Sequence, residues 1–194
     1  MTDTQNSIRW WHIVVALMLV AALDIYELLV TIPALAASAG QPIFDVRVNG
    51  YGPGEAIALL TALGPEGRWY YLIRHTSADT ALALVEAAAI ALIILRATRP
   101  DARFAVHAPR RWRLVMLTAP VVTLALDLAE NALVAHMLIA PSPAALQVAI
   151  ASTITQAKWA GYAMSIALAI VLPLAALRNG WRSRPDQSEQ PAPS

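Results

Sequence analysis

The chain has no cysteine. Disulfides, thiolate nucleophiles, Cys-ligated zinc and iron–sulfur clusters are thereby excluded, and the redox state of the compartment leaves no mark on the sequence. Charge is scarce as well: Asp, Glu, Lys and Arg make up 14% of the 194 residues, against 58% hydrophobic. That is a membrane composition. The motifs by which many enzymes announce themselves are also missing. There is no Walker loop, no dinucleotide fingerprint, no His-Glu-x-x-His zinc helix, no Gly-x-Ser-x-Gly elbow and no Glu-x-x-His pair of the di-iron bundles. Nucleotide-driven pumps, zincins and serine hydrolases are therefore poor readings. The net charge of +1 says little, and no nucleic-acid partner is expected.

What is present is a set of long apolar runs. About 20 mainly apolar residues cross a bilayer core, and four stretches qualify, at roughly 11–35, 76–95, 114–139 and 147–177. A chain this small has no room to bury four such helices in a soluble core. The sequence predicts an all-α fold, a four-helix transmembrane bundle, as one membrane domain over 1–183. The first run is longer than the apolar stretch of a secretory signal and carries Asp24 and Glu27, so it is expected to stay in the mature protein. The fourth is long enough to tilt, or to bend near Pro173.

Arginine sets the orientation. The linker at 96–113 carries Arg96, Arg99, Arg103, Arg110, Arg111 and Arg113, and Arg178, Arg182 and Arg184 follow the fourth span. Both segments, and with them both termini, are expected in the cytoplasm. The linker also suits anionic lipid head groups. Trp10, Trp11, Trp112 and Trp181 then fall at the inner boundary and Trp69 at the outer one, as interfacial aromatics do. The segment 36–75 becomes the one substantial extracytoplasmic piece. Within it Gly50-Tyr-Gly-Pro-Gly54 reads as a turn, and Glu55 to Leu63 as a short amphipathic helix with Ala56, Leu59, Leu60 and Leu63 on one stripe. Such a helix lies on the bilayer, caps the bundle or covers a site. The Pro-, Ser- and Gln-rich tail at 184–194 is expected to be disordered.

Polar residues inside these spans are not scattered. Span one carries Asp24 and Glu27, with Thr31 a turn further on; span two carries His75, Asp79 and Glu86 on one stripe. Span three carries Asp127, Glu130 and Asn131 on one face, and span four carries Thr155, Lys158, Tyr162 and Ser165 on another. An acid at mid-membrane costs about 3 kcal/mol on insertion scales, so six of them need partners, water or a purpose. The economical arrangement turns all four stripes inward around a hydrated cavity open to the outside. There Lys158 neutralises one acid and Asn131 donates to another, leaving the rest to be protonated, hydrated or bound to a cation. A bland account exists for some pieces: Lys158 with Glu130 or Asp127 as a register-fixing ion pair, Tyr162, Thr155 and Ser165 as helix glue, and His75 as a solvated interfacial histidine. The segments Ala22–Leu29 and Ala125–Ala132 also match in outline, pairing Asp24 with Asp127 and Glu27 with Glu130.

Phe44-Asp45 with Gly50-Tyr51, then Leu63-Gly64-x-x-Gly67-Arg68-x-x-Tyr71, then Asp127-x-x-Glu130-Asn131 and Thr155-x-x-Lys158-Trp159, resemble a group of small bacterial four-span membrane proteins. The resemblance implies a bacterial inner membrane and carries no mechanism. It sets Asp45, Tyr51, Arg68 and Tyr71 beside the buried acids, as residues that would close the outer mouth of the same cavity.

Three functions fit these residues. The first is a membrane-embedded enzyme acting on a lipid or isoprenoid-like small molecule, with Asp127 and Glu130 as base and acid, Lys158 and Asn131 as electrostatic stabilisers, and Asp24 and Glu27 in the same set. Asp79, Glu86, Tyr51, Arg68, Tyr71 and Tyr162 would then bind substrate, and an oxygen-rich cage would also suit a divalent metal such as magnesium or manganese. The second is a proton-coupled cation transporter, a homodimer because four spans are few for one. The third is a non-catalytic subunit that binds lipid or another protein.

Overall fold

The computed structural model describes residues 8–99, 105–106, 108–140 and 142–182; Arg103 and the tail at 184–194 lie outside them. Four helices among the described residues are long and apolar enough to cross a membrane: α1 (Trp10–Ala39), α2 (Pro53–Ala97), α3 (Arg110–Ile139) and α4 (Ala145–Arg182). Each holds a window with mean hydropathy between 1.5 and 2.4. Their outer faces expose Met18, Leu28, Leu29, Val121, Met164 and Ile170, a surface that suits lipid and not water. The chain is an all-α four-helix bundle with the character of a multi-pass membrane protein. Trp10, Trp11 and Trp112 stand exposed at the arginine end and Trp69 at the other.

The connection between the first two helices is shorter than the expected 36–75. It comprises only residues 40–52, because α1 runs on to Ala39 and α2 begins at Pro53. The short amphipathic helix is the first arm of α2, and Gly64 is where it bends. Gly64 has φ 60 and ψ −175, so the helical ladder breaks there. Pro65 restarts it at once, since a proline needs no N–H at a first helical turn and pushes the preceding residue out of the helical region. One Gly-Pro pair thus writes a stop and a start at the same place. The arm folds over the bundle and buries Ala56, Leu59, Leu60 and Leu63 against Leu35, Val134, Met137 and Val148, closing that end with an apolar cap. Each leucine so removed from water contributes about 2 kcal/mol. Arg68 secures the bend, its guanidinium donating to the Leu60 carbonyl at 2.9 Å and to the Ala140 carbonyl, just past α3, at 3.0 Å.

Two further irregularities carry no sequence signature. Within α1 the stretch Glu27–Thr31 is π-helical, and within α2 so is Tyr71–His75. Each π turn rotates the helix beyond it, a device found mostly where side chains must be re-aimed. The two turns lie side by side, and Glu27, Thr31, Tyr71 and His75 are all buried between them and their neighbours.

Packing is uneven. α4 packs along α3 and α2, and α3 along α2, while α1 leans on α2 and makes no comparable contact with α3 or α4. At the arginine end Ile90, Ile94, Ala97 and Leu172 fill the interior with Met116 and Leu168 around them. α3 and α4 come close at Gly161, where an added Cβ would stand 2.5 Å from Thr123 Oγ1 and 3.5 Å from its Cα. The Thr123 hydroxyl is already engaged with the Ala119 carbonyl at 2.9 Å and with Ser165 Oγ at 3.2 Å. Gly161→Val is therefore expected to destabilise the protein by about 2 kcal/mol through overpacking. Thermal unfolding followed by circular dichroism in mild detergent checks this, and an unchanged midpoint would mean the helices part there without cost.

Candidate functional site

Lys158 lies at the centre of the polar interior, 3% exposed, and projects from α4 into a group of carboxylates. Its Nζ is in direct contact with Glu130, 3.6 Å from Asp127 Oδ2 and 3.8 Å from Asp45 Oδ1. Asp127 and Glu130, both from α3, are fully buried. Thr155 donates to Glu130, and Tyr162 donates to Asp127 Oδ2 at 2.6 Å. The Asn131 amide serves two acids, donating to Asp79 Oδ2 at 2.6 Å and to Asp127 Oδ1 at 3.1 Å. One lysine and one amide thus hold four carboxyl groups from two helices and a loop.

The loop acid is Asp45, and it is the junction of the network. Its Oδ2 accepts from the Tyr71 hydroxyl and stands 3.4 Å from His75 Nε2; His75 Nδ1 in turn meets Thr31 Oγ1 at 2.9 Å. A continuous chain of polar contacts therefore runs from α1 through α2 and the loop to α4 and α3. The backbone around Asp45 is fixed from three sides. Trp159 Nε1 donates to the Asp45 carbonyl at 2.9 Å, the Phe44 N–H donates to the Tyr71 hydroxyl at 3.2 Å, and the Tyr51 N–H donates to Ser152 Oγ at 2.8 Å. Gly50 permits this close seating. Its φ is +80, and a Cβ there would stand 2.5 Å from Gln156 Nε2 and 2.6 Å from Ser152 Oγ. Burial alone would push the Asp45 carboxyl up, but the facing His75 and the Lys158 charge outweigh it and hold the group well below the usual carboxylate range. Burial pushes the Tyr51 phenol up, and the carboxylates of Glu130 and Asp45 act in the same sense, so it stays a neutral hydroxyl.

Because α1 leans only on α2, a cleft of about 490 Å³ opens between α1 and α4. α2 forms its floor, and the Phe44–Val46 turn closes it towards the loop. Its polar wall is made by Glu27, Asp45, His75, Asp79, Glu86 and Lys158, with Tyr162 and Trp159 beside them and Asp24 exposed at the rim. Leu28, Ile32, Leu82 and Ile166 give it an apolar lip facing sideways out of the bundle.

Most of the residues singled out in the sequence meet here, with changed roles. Asp127, Glu130 and Asn131 stand behind Lys158 and do not line the cleft. Asp24 and Asp127 share no environment, one exposed and the other buried, so the matching segments of spans one and three do not build matching sites. His75 is not a solvated interfacial residue: it is 1% exposed, because the π turn carries it inward beside Asp45. Tyr71 meets Asp45 and Tyr51 lies in the same loop, while neither lines the cleft; Arg68 lies elsewhere. It clamps the α2 bend and borders a separate hollow of about 430 Å³ outside the cap, with Pro65, Trp69 and Ile139. Among the described residues, no three His, Asp or Glu side chains converge as metal ligands would. The sequence sets Asp45 only at the mouth, whereas the structure puts it at the junction of the network. Its signal was an acid set inside the apolar run Ile43-Phe44-Asp45-Val46, between Pro42 and Gly50.

Asp45→Asn is expected to cost about 3 kcal/mol at pH 7, the range for removing one partner of a buried pair. Since the folded carboxyl titrates below its unfolded value of about 3.9, that contribution is present above the unfolded value and fades as pH falls below it towards the folded one. Unfolding of wild type and variant at pH 7 and at pH 3 checks this; a gap that widened in acid would refute it. A comparison with known protein families, with curated proteins and with solved structures finds no match to this chain.

Proposed function

We propose that the protein is an enzyme of a bacterial inner membrane that performs acid–base chemistry on an amphiphile entering sideways through the cleft between α1 and α4. On this reading both termini are cytoplasmic, following the arginines of the 96–113 linker and of Arg178 and Arg182. The polar half of the cleft then lies towards the extracytoplasmic side.

The observation that supports this best is the form of the cleft: an apolar lip open to the flank of the bundle and, behind it, a wall of ionisable groups in unlike surroundings. A substrate with a hydrocarbon body reaches that wall from the bilayer, its tail against Leu28, Ile32, Leu82 and Ile166. Groups that differ in partners and burial are the equipment for giving and taking protons. Lys158, Asp45 and His75 line the cleft and are the ones placed to touch a reacting head group. Tyr71 and Thr31 orient the Asp45–His75 pair from either side. Asp127 and Glu130 are positioning residues here, holding the Lys158 amine where it faces the cleft. Transport is less well supported, because the arginine half of the interior is packed with Ile90, Ile94, Ala97 and Leu172.

The test is turnover of natural lipid. Protein in nanodiscs made from a bacterial lipid extract is incubated and the lipids followed by liquid chromatography and mass spectrometry. Wild type is expected to deplete one lipid class with time, and His75→Gln to slow that depletion about 100-fold or more, the usual weight of a general acid or base. Should no class change while a lipid still co-purifies, the protein is a binding subunit and not an enzyme.

A further inference from the structure

The charges around the cleft do not balance. Six carboxyl groups, those of Glu27, Asp45, Asp79, Glu86, Asp127 and Glu130, form or back its wall, against one ammonium and one imidazole. The protein's own donors are already committed. Lys158 is held by Glu130, Asp127 and Asp45, and the Asn131 amide by Asp79 and Asp127. The imidazole of His75 lies between Asp45 and Thr31.

Glu27 is left out of this arrangement. It is 6% exposed, its side chain lines the cleft, and its Oε1 has no hydrogen-bond partner among the described residues. The π turn that places it there brings Thr31, one turn on, to His75 and leaves the Glu27 carboxyl facing the open space. A buried acceptor without a donor carries the full cost of its desolvation. Whatever occupies the cleft is the remaining source of that donor.

The chemistry of the occupant follows from the wall. A carboxylate accepts only, so its partner brings N–H or O–H groups, and a cationic donor gives the strongest bond. A phosphate head would instead meet Glu27, Asp45, Asp79 and Glu86 with no uncommitted base. The rings of Trp159 and Tyr162, edge to face at 6.2 Å, line the same wall and suit a positive charge. We infer that the cleft takes an amphiphile with an ammonium head group, with Glu27 as its counter-ion and its chain on the apolar lip. This rests on the reading of the cleft as an amphiphile site and narrows it to one head-group class.

Nanodiscs containing equal mole fractions of hexadecylamine, hexadecanol or hexadecyl phosphate supply the probes, and native mass spectrometry of the released full chain counts one-to-one adducts. Wild type should favour the amine over the alcohol about tenfold, as a bond to a charged donor does, and take the phosphate least. Glu27→Gln should bring the amine down to the level of the alcohol without weakening the alcohol. Glu66→Gln, an exposed acid outside the cleft, should change nothing. Equal binding of amine and alcohol by wild type, or an amine preference that survives Glu27→Gln, overturns the ammonium assignment alone. Leu82→Trp, which fills the lip, should lose both ligands; if wild type binds neither, or Leu82→Trp binds both unchanged, the amphiphile reading beneath it falls as well. The wild-type preference decides the matter even if Glu27→Gln fails to fold.

Discussion

The structure depends on keeping one ammonium group in a place where water is scarce. Taking Lys158 out of water costs several kcal/mol unless charges of opposite sign surround it, and the chain supplies them from three directions: Glu130 and Asp127 on α3 and Asp45 on the loop. Other features of the interior serve those carboxylates in turn. Thr155, Tyr162 and Asn131 hold the α3 pair, while Tyr71 and His75 hold Asp45. Removing any one member leaves a charge or a donor stranded in a low-dielectric interior, which is why the set reads as one unit and not as separate pairs.

The same requirement explains the irregular backbone. Tyr71 and His75 both reach Asp45 from α2, and Asp79 one turn on reaches Asn131. The π turns at Tyr71–His75 and Glu27–Thr31 lie where these side chains meet, and Thr31 contacts His75 between them. The loop is folded inward for the same reason, with Gly50 seated against α4 so that Asp45 lies under the cap and not in solvent.

The bundle itself was legible because span length and apolar content are one-dimensional properties. The stripe of Ala56, Leu59, Leu60 and Leu63 was legible too, since helical periodicity tells which residues share a face. Periodicity does not say which way a stripe turns. Asp127 and Glu130 could be identified as partners of Lys158, but not that they stand behind it and leave the cleft to Glu27, His75 and Asp79. Nor does any residue pattern announce a π turn, so His75 looked like a residue of the membrane boundary. Arg68 looked like part of the mouth because its neighbours in sequence are; the bend at Gly64 sends it to the backbone of α3 instead.

The lean of α1 on a single neighbour divides the bundle into two hairpins. α1 carries Thr31 on the face that α2 covers and Glu27 towards the cleft. The Thr31 hydroxyl finds its partner in His75, more than forty residues later in the sequence. α1 and α2 thus form one helical hairpin, joined through Thr31 and His75. The second hairpin brings Lys158 together with its α3 acids, and it meets the first along α2 and the 40–52 loop, where Trp159 and Ser152 hold the loop backbone. The gap between α1 and α4 is then the open edge between two hairpins joined along α2 and the loop.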